Sequence, residues 1–188
     1  MTEKFLHLRK AVEDTQVVEL TQQGFEVYKF KIFAFGERGT WINPELLKEI
    51  TEGLHDSIIE SFPDFDYIVA PEPGGNAWGS LIALKTGKPL NILRAYSSGE
   101  EEEEKVIRKT GYCSETLYFN HFKKGDKVLV IDDVTSTGGT LDAILSKFQE
   151  LGVITVGAQV IYAKSDGYKI IEQKFSVRIK PLLSHSEK

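Results

Sequence analysis

The stretch Val128-Leu129-Val130-Ile131-Asp132-Asp133-Val134-Thr135-Ser136-Thr137-Gly138-Gly139-Thr140 decides how this chain is read. An apolar run delivers two adjacent carboxylates, Asp132 and Asp133, to the carboxyl end of a strand, and a turn rich in hydroxyls and glycine then opens a helix. Gly138 and Gly139 permit a tight turn in which several backbone N–H groups face one concavity. The positive end of the following helix adds to it, so the turn suits a phosphate. Ser136, Thr137 and Thr140 supply hydroxyl donors to the same anion. The two carboxylates repel a phosphate and must face another part of the ligand; ribose hydroxyls, which donate to carboxylates, fit there. No Gly-Lys-Ser/Thr follows the glycines, which excludes a Walker loop, and Gly74, Gly75 and Gly79 are wrongly spaced for a dinucleotide fingerprint.

Outward from this segment, strands and helices alternate. Downstream, the pattern predicts a helix over 139–151, a strand over 154–162, a short helix over 168–173 and a last strand over 175–179. Upstream, Asn43-Pro44 caps a helix running to about residue 61, with Leu46, Leu47, Ile50, Leu54 and Ile58 at helical spacing. A strand over 67–70, a Pro/Gly turn, a helix over 77–86 and a strand over 90–93 follow. A polar loop over 95–115 then leads to strands over 116–119 and 127–131. This order predicts an α/β fold with a mainly parallel sheet, helices on both faces, and a ligand beyond the carboxyl ends of the strands. Residues 1–43 read as a helical start and a strand over 25–35, a small appendage on a core formed by 44–188.

The chain has 188 residues, enough for one α/β domain with a full core. A net charge of -5 disfavours a nucleic-acid or anionic-membrane partner. Cys113 is alone, the first residues lack the apolar run of a signal peptide, and no stretch approaches the ~20 apolar residues of a membrane span. A cytoplasmic setting is expected. His7, His55, His121 and His185 are scattered without metal-ligand spacing.

The segment Asp132–Thr140 resembles the phosphoribosyl pyrophosphate signature of type I phosphoribosyltransferases, in which two acidic residues precede a Thr-Gly-Gly-Thr phosphate loop. VAPEPGGNAWG at 69–79, TGYCSETLY at 110–118 and SDGYKIIEQKFSVRIKPLL at 165–183 are similar to archaeal-type hypoxanthine/guanine phosphoribosyltransferases and their adenine-using relatives. The resemblance spans roughly 43–183. It implies a transferase that moves ribose 5-phosphate from phosphoribosyl pyrophosphate to a free purine, with Mg²⁺ as cofactor and a homodimer as the assembly. A non-catalytic sensor of phosphoribosyl pyrophosphate, and a transferase for xanthine or a pyrimidine, stay open as alternatives.

The same resemblance distributes roles. Ser136, Thr137, Gly138, Gly139 and Thr140 hold the 5-phosphate, with Val134 and Thr135 in the same substrate-binding segment. Asp132 and Asp133 take the ribose hydroxyls, stabilise an oxocarbenium-like sugar and meet Mg²⁺ indirectly. The loop Glu72-Pro73-Gly74-Gly75 grips pyrophosphate, and relatives often place a non-proline cis peptide in it. Arg94 is either a second cation for pyrophosphate or a surface arginine. Residues 95–115 become a mobile lid that excludes water, with Glu115 as an acid or base at the purine ring or a solvated glutamate. Relatives commonly place basic residues after the matching arginine, whereas this chain carries Glu100 to Glu104, expected to be a solvated face. Lys105, Arg108 and Lys109 are available to turn inward. Phe33, Phe35 and Trp41 form either a hood over the base or plain core, and Lys164 either donates to a purine carbonyl or is an exposed lysine.

Overall fold

In the computed structural model, which describes residues 4–20, 28–62, 64–109 and 114–187, the strand carrying the acidic pair, β7 (Lys127–Thr135), is the middle of five. Its neighbours on one side are β3 (Tyr67–Pro71) and β4 (Leu90–Leu93), and on the other β8 (Ile154–Ala163) and β9 (Arg178–Ser184). All four pairings are parallel. Residues 128–133 are buried without a break, because helices cover both faces of the sheet. Leu129 and Ile131 face one layer, with Leu46, Ile50 and Leu54 of α2 (Pro44–Ser61) and Trp78 and Ile82 of α3 (Gly75–Thr86). Val128 and Val130 face the other, with Leu141, Ile144 and Phe148 of α4 (Gly139–Leu151) and Ile171 of α5 (Gly167–Phe175). The strand period of two separates these sets.

The expected helix from Asn43 is present, and the Asn43 side chain accepts from Leu46 N at 2.7 Å. Several boundaries differ. The strand expected over 127–131 continues to Thr135, since Val134 and Thr135 still pair with Tyr162 and Ala163 of β8. The helix expected from 77 begins at Gly75. The strand expected over 175–179 is displaced to Arg178–Ser184, because Phe175 closes α5 and Ser176 (φ 54°) turns the chain. Pro181 is accommodated within it because β9 is an edge strand and one side of its backbone needs no donor.

The N-terminal segment is an α1 helix (Leu6–Glu13) and an antiparallel ribbon of β1 (Gln16–Leu20) and β2 (Tyr28–Ile32). The strand expected over 25–35 is thus shorter on its described side, and residues 25–27 lie outside the described residues. Past β2 the chain folds back, with Gly36 N donating to Phe33 O (3.1 Å) and Gly39 N to Gly36 O (2.9 Å). Glu49 of α2 accepts from the amides of His7 (3.2 Å) and Leu8 (2.8 Å), satisfying the free donors at the start of α1.

The polar loop expected over 95–115 contains strands of a second ribbon, β5 (Glu104–Lys109) antiparallel to β6 (Ser114–Phe119). On its inner face Val106, Leu117 and Phe119 are buried in the same cluster as Phe148 of α4. The high charge of 100–105 hides this alternation from a composition reading. Arg94, just past β4, pairs with Tyr118 through both backbone groups (2.8 and 2.7 Å) and fastens the ribbon to the sheet.

Candidate functional site

A cavity opens at the carboxyl end of β7, where β7 hands over to α4. Ser136, Thr137, Gly138, Gly139 and Thr140 form its floor, together with Val134 and Thr135. Gly138 has φ 83°, a left-handed conformation, and a Cβ there would lie 2.5 Å from Ile171 Cγ1, so both backbone and packing require glycine. The turn is fastened from behind. Ser165 Oγ donates to Ser136 O (2.7 Å), Lys164 N to Thr135 O (2.8 Å), and Asp142 N to Gly138 O (2.8 Å). A turn fixed in this way at the amino end of a helix is prepared for an anion without further ordering.

Asp132 and Asp133 stand beside this turn, each 6% exposed. Asp132 Oδ1 accepts from Asp133 N (2.9 Å), while Asp133 accepts from Val134 N at Oδ1 (2.6 Å) and from Glu37 N at Oδ2 (2.7 Å). Burial pushes the Asp132 carboxyl well above its usual range, and the Asp133 charge pushes it further. Burial also raises Asp133, against the hydrogen bonds from Asp132 and Val134 that favour its charge. Among the described residues no Lys, Arg or His lies within 4.0 Å of either carboxylate. The pair is short of positive charge.

The opposite wall comes from the N-terminal segment and β8. Phe30 and Phe33 line the cavity, and Lys164 Nζ sits 5.4 Å and 5.7 Å from their ring centroids. Burial lowers the Lys164 pKa, with Asp133 and Glu37 pulling the other way. Phe35, a candidate for this wall, is instead core: it is 3% exposed, stacks on Phe33 at 5.2 Å, and its carbonyl accepts from Trp78 Nε1 at 2.9 Å. Trp41 is 74% exposed and outside the lining. Phe33 was legible as an aromatic of the appendage. Phe30, placed by β2, and Glu37 and Arg38, placed by the fold-back at Gly36 and Gly39, also line the cavity and were missed as site residues because neither placement is written in adjacent residues.

In the loop after β3, Gly74 reaches the cavity, while Gly75 is the first residue of α3, where a Cβ would meet Ile131 O at 2.7 Å. The cis peptide of this loop precedes Pro73, not a non-proline residue as the resemblance implied. Glu72 does not line the cavity; its carboxylate accepts from Asn76 Nδ2 (3.0 Å) and Ala95 N (2.7 Å), tying this loop to the end of β4.

The β5–β6 ribbon contributes Arg108, which is 5% exposed and lines the cavity. Val106 and Arg108 share the buried side of β5, so the alternation that buries Val106 also turns Arg108 inward. Glu115 lies opposite on β6 and accepts from Arg108 Nε (2.9 Å) and Nη2 (2.5 Å). Burial disfavours the Arg108 charge, and Glu115 more than offsets this, so its pKa is raised. Glu115 itself is outside the lining. Arg94 is also outside it, with Nη2 on Glu103 Oε1 at 3.0 Å. The expectation that Glu100 to Glu104 form a solvated face fails at one position. The Glu103 side chain is only 7% exposed, whereas Glu104 keeps an exposed side chain while pairing with Lys147 of α4 at 2.9 Å.

The phosphoribosyl transferase domain family matches this chain over residues 42–184. A hypoxanthine/guanine phosphoribosyltransferase of Methanobrevibacter ruminantium is 32% identical over 176 residues, covering 94% of this chain and 92% of that protein. One from Methanohalophilus mahii is 38% identical over 143 residues, 76% of this chain and 73% of the relative. Among solved structures, adenine phosphoribosyltransferase from Trypanosoma brucei, in complex with AMP, pyrophosphate and ribose-5-phosphate, superposes with a TM-score of 0.76 at 20% identity, covering 96% and 80% of the two chains. The adenine enzyme of Saccharomyces cerevisiae gives 0.72 at 21%, covering 97% and 100%. At these identities the structural likeness speaks for the fold.

Proposed function

The chain belongs to the phosphoribosyltransferase family, and from that premise we propose that it is a purine phosphoribosyltransferase of purine salvage, taking phosphoribosyl pyrophosphate and a 6-oxopurine. The carrying observation is the junction at the end of β7, where two buried carboxylates, with no Lys, Arg or His within 4.0 Å among the described residues, adjoin a pre-fastened anion turn.

In this reading the 5-phosphate sits on Ser136–Thr140, with Val134 and Thr135 beside it, and Asp132 and Asp133 accept hydrogen bonds from the ribose hydroxyls. The bond from C1 of the sugar to pyrophosphate breaks, its electron pair leaving with pyrophosphate, as a bond to the purine nitrogen forms, and the proton of that nitrogen passes to the released pyrophosphate or to water. Positive charge developing on the sugar faces the Asp pair, which is placed before the reaction and needs no reorganisation. The loop Glu72–Gly75 and Arg94 belong to the pyrophosphate end. Phe30 and Phe33 offer faces for the base, and Lys164 donates to its carbonyl oxygen. Phe35 supports Phe33 from behind.

Mg²⁺ fits the same place, because two carboxylates raised by burial, Asp132 further by the Asp133 charge, are relieved by a divalent cation. Held by Asp132 and Asp133 through water or sugar hydroxyls, the ion would neutralise charge on the leaving pyrophosphate. The N-terminal ribbon acts as a hood over the base, and the β5–β6 ribbon as the lid that keeps water out. The family resemblance carries a homodimer and a cytoplasmic setting into the same reading, and light scattering tests the first.

Incubation with Mg²⁺, phosphoribosyl pyrophosphate and each of hypoxanthine, guanine, adenine, xanthine and uracil tests the reaction. Release of pyrophosphate with hypoxanthine or guanine is expected. Binding of phosphoribosyl pyrophosphate with no turnover on any base would replace this reading with a sensor.

A further inference from the structure

A second cluster of donors stands outside the cavity, at the carboxyl end of β4, and all of it converges on one carboxylate. Arg94 Nη2 donates to Glu103 Oε1 at 3.0 Å, Ser98 N and Ser98 Oγ to the same oxygen at 2.8 Å each, and Ser97 Oγ to Oε2 at 2.5 Å. The neighbouring Glu100, Glu101 and Glu102 are exposed, whereas the Glu103 side chain retains 7% of its accessibility. Arg94 Nε is buried and, among the described residues, has no hydrogen-bond acceptor, so the guanidinium has donor capacity beyond what Glu103 uses. A guanidinium, two hydroxyls and a backbone N–H around one acidic group are the donors that also hold a phosphate.

The position matters as much as the composition. Ala95, next to Arg94, donates its N–H to Glu72 Oε2 at 2.7 Å, and the loop that Glu72 opens brings Gly74 against Asp133. The cluster therefore adjoins the loop assigned to pyrophosphate without being part of the cavity at β7.

We propose that Arg94, Ser97 and Ser98 form an oxyanion site for phosphate-type groups that the chain's own Glu103 fills in the free protein, so that an incoming anion must first displace this carboxylate. The identification of the anion as pyrophosphate or the pyrophosphoryl end of the substrate rests on the transferase reading; the donor set does not. Glu103 is tethered to the site through a short loop, which sets its effective concentration at about the millimolar level. A monovalent carboxylate in solution cannot outcompete it, whereas a multiply charged phosphate group that engages the whole fork of Arg94 can. The hydrogen bonds from Ser97 and then Ser98 hold the Glu103 carboxyl at about 2, so it stays charged throughout the working range of pH. The mask is not released by mild acid; only a competing anion releases it.

Calorimetric titration with inorganic phosphate, pyrophosphate and phosphoribosyl pyrophosphate, at fixed ionic strength with Mg²⁺, tests the mask in the full chain. Glu103→Ala is expected to bind pyrophosphate about tenfold more tightly than the parent, the scale of one charge-assisted hydrogen bond. Glu103→Gln, which keeps the size of the side chain, is expected to show a smaller gain, and melting curves check that both variants fold. Adding Arg94→Gln to either variant should abolish the gain. A gain shared by phosphoribosyl pyrophosphate supports occupation by the substrate's pyrophosphoryl end, and a gain confined to the inorganic anions supports a site for the free anion. Unchanged or weaker pyrophosphate binding in both Glu103 variants, or a gain that survives Arg94→Gln, overturns the proposal. The base-panel assay on the parent protein reports separately, so unaltered transfer with no gain in binding rejects the mask and leaves the reaction standing.

Discussion

Gly74 and Asp133 meet with no room for a side chain between them: a Cβ at position 74 would lie 2.4 Å from the Asp133 carboxylate carbon. Nothing at that position can yield cheaply, since both Asp133 oxygens are also committed to backbone amides of Val134 and Glu37. Gly74→Ala is therefore expected to push the carboxylate off its bonds and to lower kcat/KM by about 100-fold, the scale of a misplacement near the reacting atoms. Steady-state kinetics with a melting curve checks this. Activity within a factor of two of the parent would mean that the loop yields and the contact does not set the position of Asp133.

Asp132→Asn should make the ligand-free protein more stable at neutral pH and nearly inactive. Burial and the Asp133 charge raise the folded-state pKa of Asp132 above 3.8. A carboxyl raised in the folded state contributes its full stability below that ordinary value and loses it as pH climbs through the raised one. The parent is thus expected to lose stability over the span that starts near pH 4, and the amide variant to lose less. Thermal unfolding between pH 4 and 8 measures both slopes, and identical slopes would contradict the cause assigned here.

Lys164→Met keeps the apolar stem beside Phe30 and Phe33 but removes the donor. It is expected to lower kcat/KM for hypoxanthine by about 10- to 100-fold while leaving adenine, if it is used at all, much less affected, because a site loses most when a polar partner goes missing. Equal losses for both bases would show that Lys164 does not read the purine carbonyl.

Glu115 serves two readings that one variant separates. If it only holds Arg108, Glu115→Gln leaves a buried guanidinium with a weaker partner and lowers stability by about 1 to 2 kcal/mol, with the shape of the pH–rate profile preserved. If it is an acid or base at the purine, one limb of that profile flattens. We expect the first outcome, since Glu115 spends its carboxylate on Arg108 at 2.9 and 2.5 Å and does not line the cavity.

The fold was legible wherever local pattern and burial agree. The apolar run into Asp132 and Asp133, the glycine turn and the cap at Asn43 are each written in adjacent residues, and each is present at its expected place. What failed was decided by partners distant in sequence. Phe33 and Phe35 are equivalent aromatics by sequence and both are buried in one core cluster; only Phe33 also reaches the cavity, while Trp78 donates to the Phe35 carbonyl beside the fold-back at Gly36. Glu103 differs from its acidic neighbours only because Ser97, Ser98 and Arg94 surround it. Arg108 carried a faint signal, its two-residue spacing from Val106, which the surrounding charges obscured.

The β5–β6 ribbon packs Val106, Leu117 and Phe119 into the cluster that contains Phe148, and Lys147 clasps Glu104 from the same helix. Ribbon and helix are therefore expected to open together, with their amides exchanging with solvent at a common rate. Access to the cavity cannot come from peeling the ladder away without opening the interior of the protein.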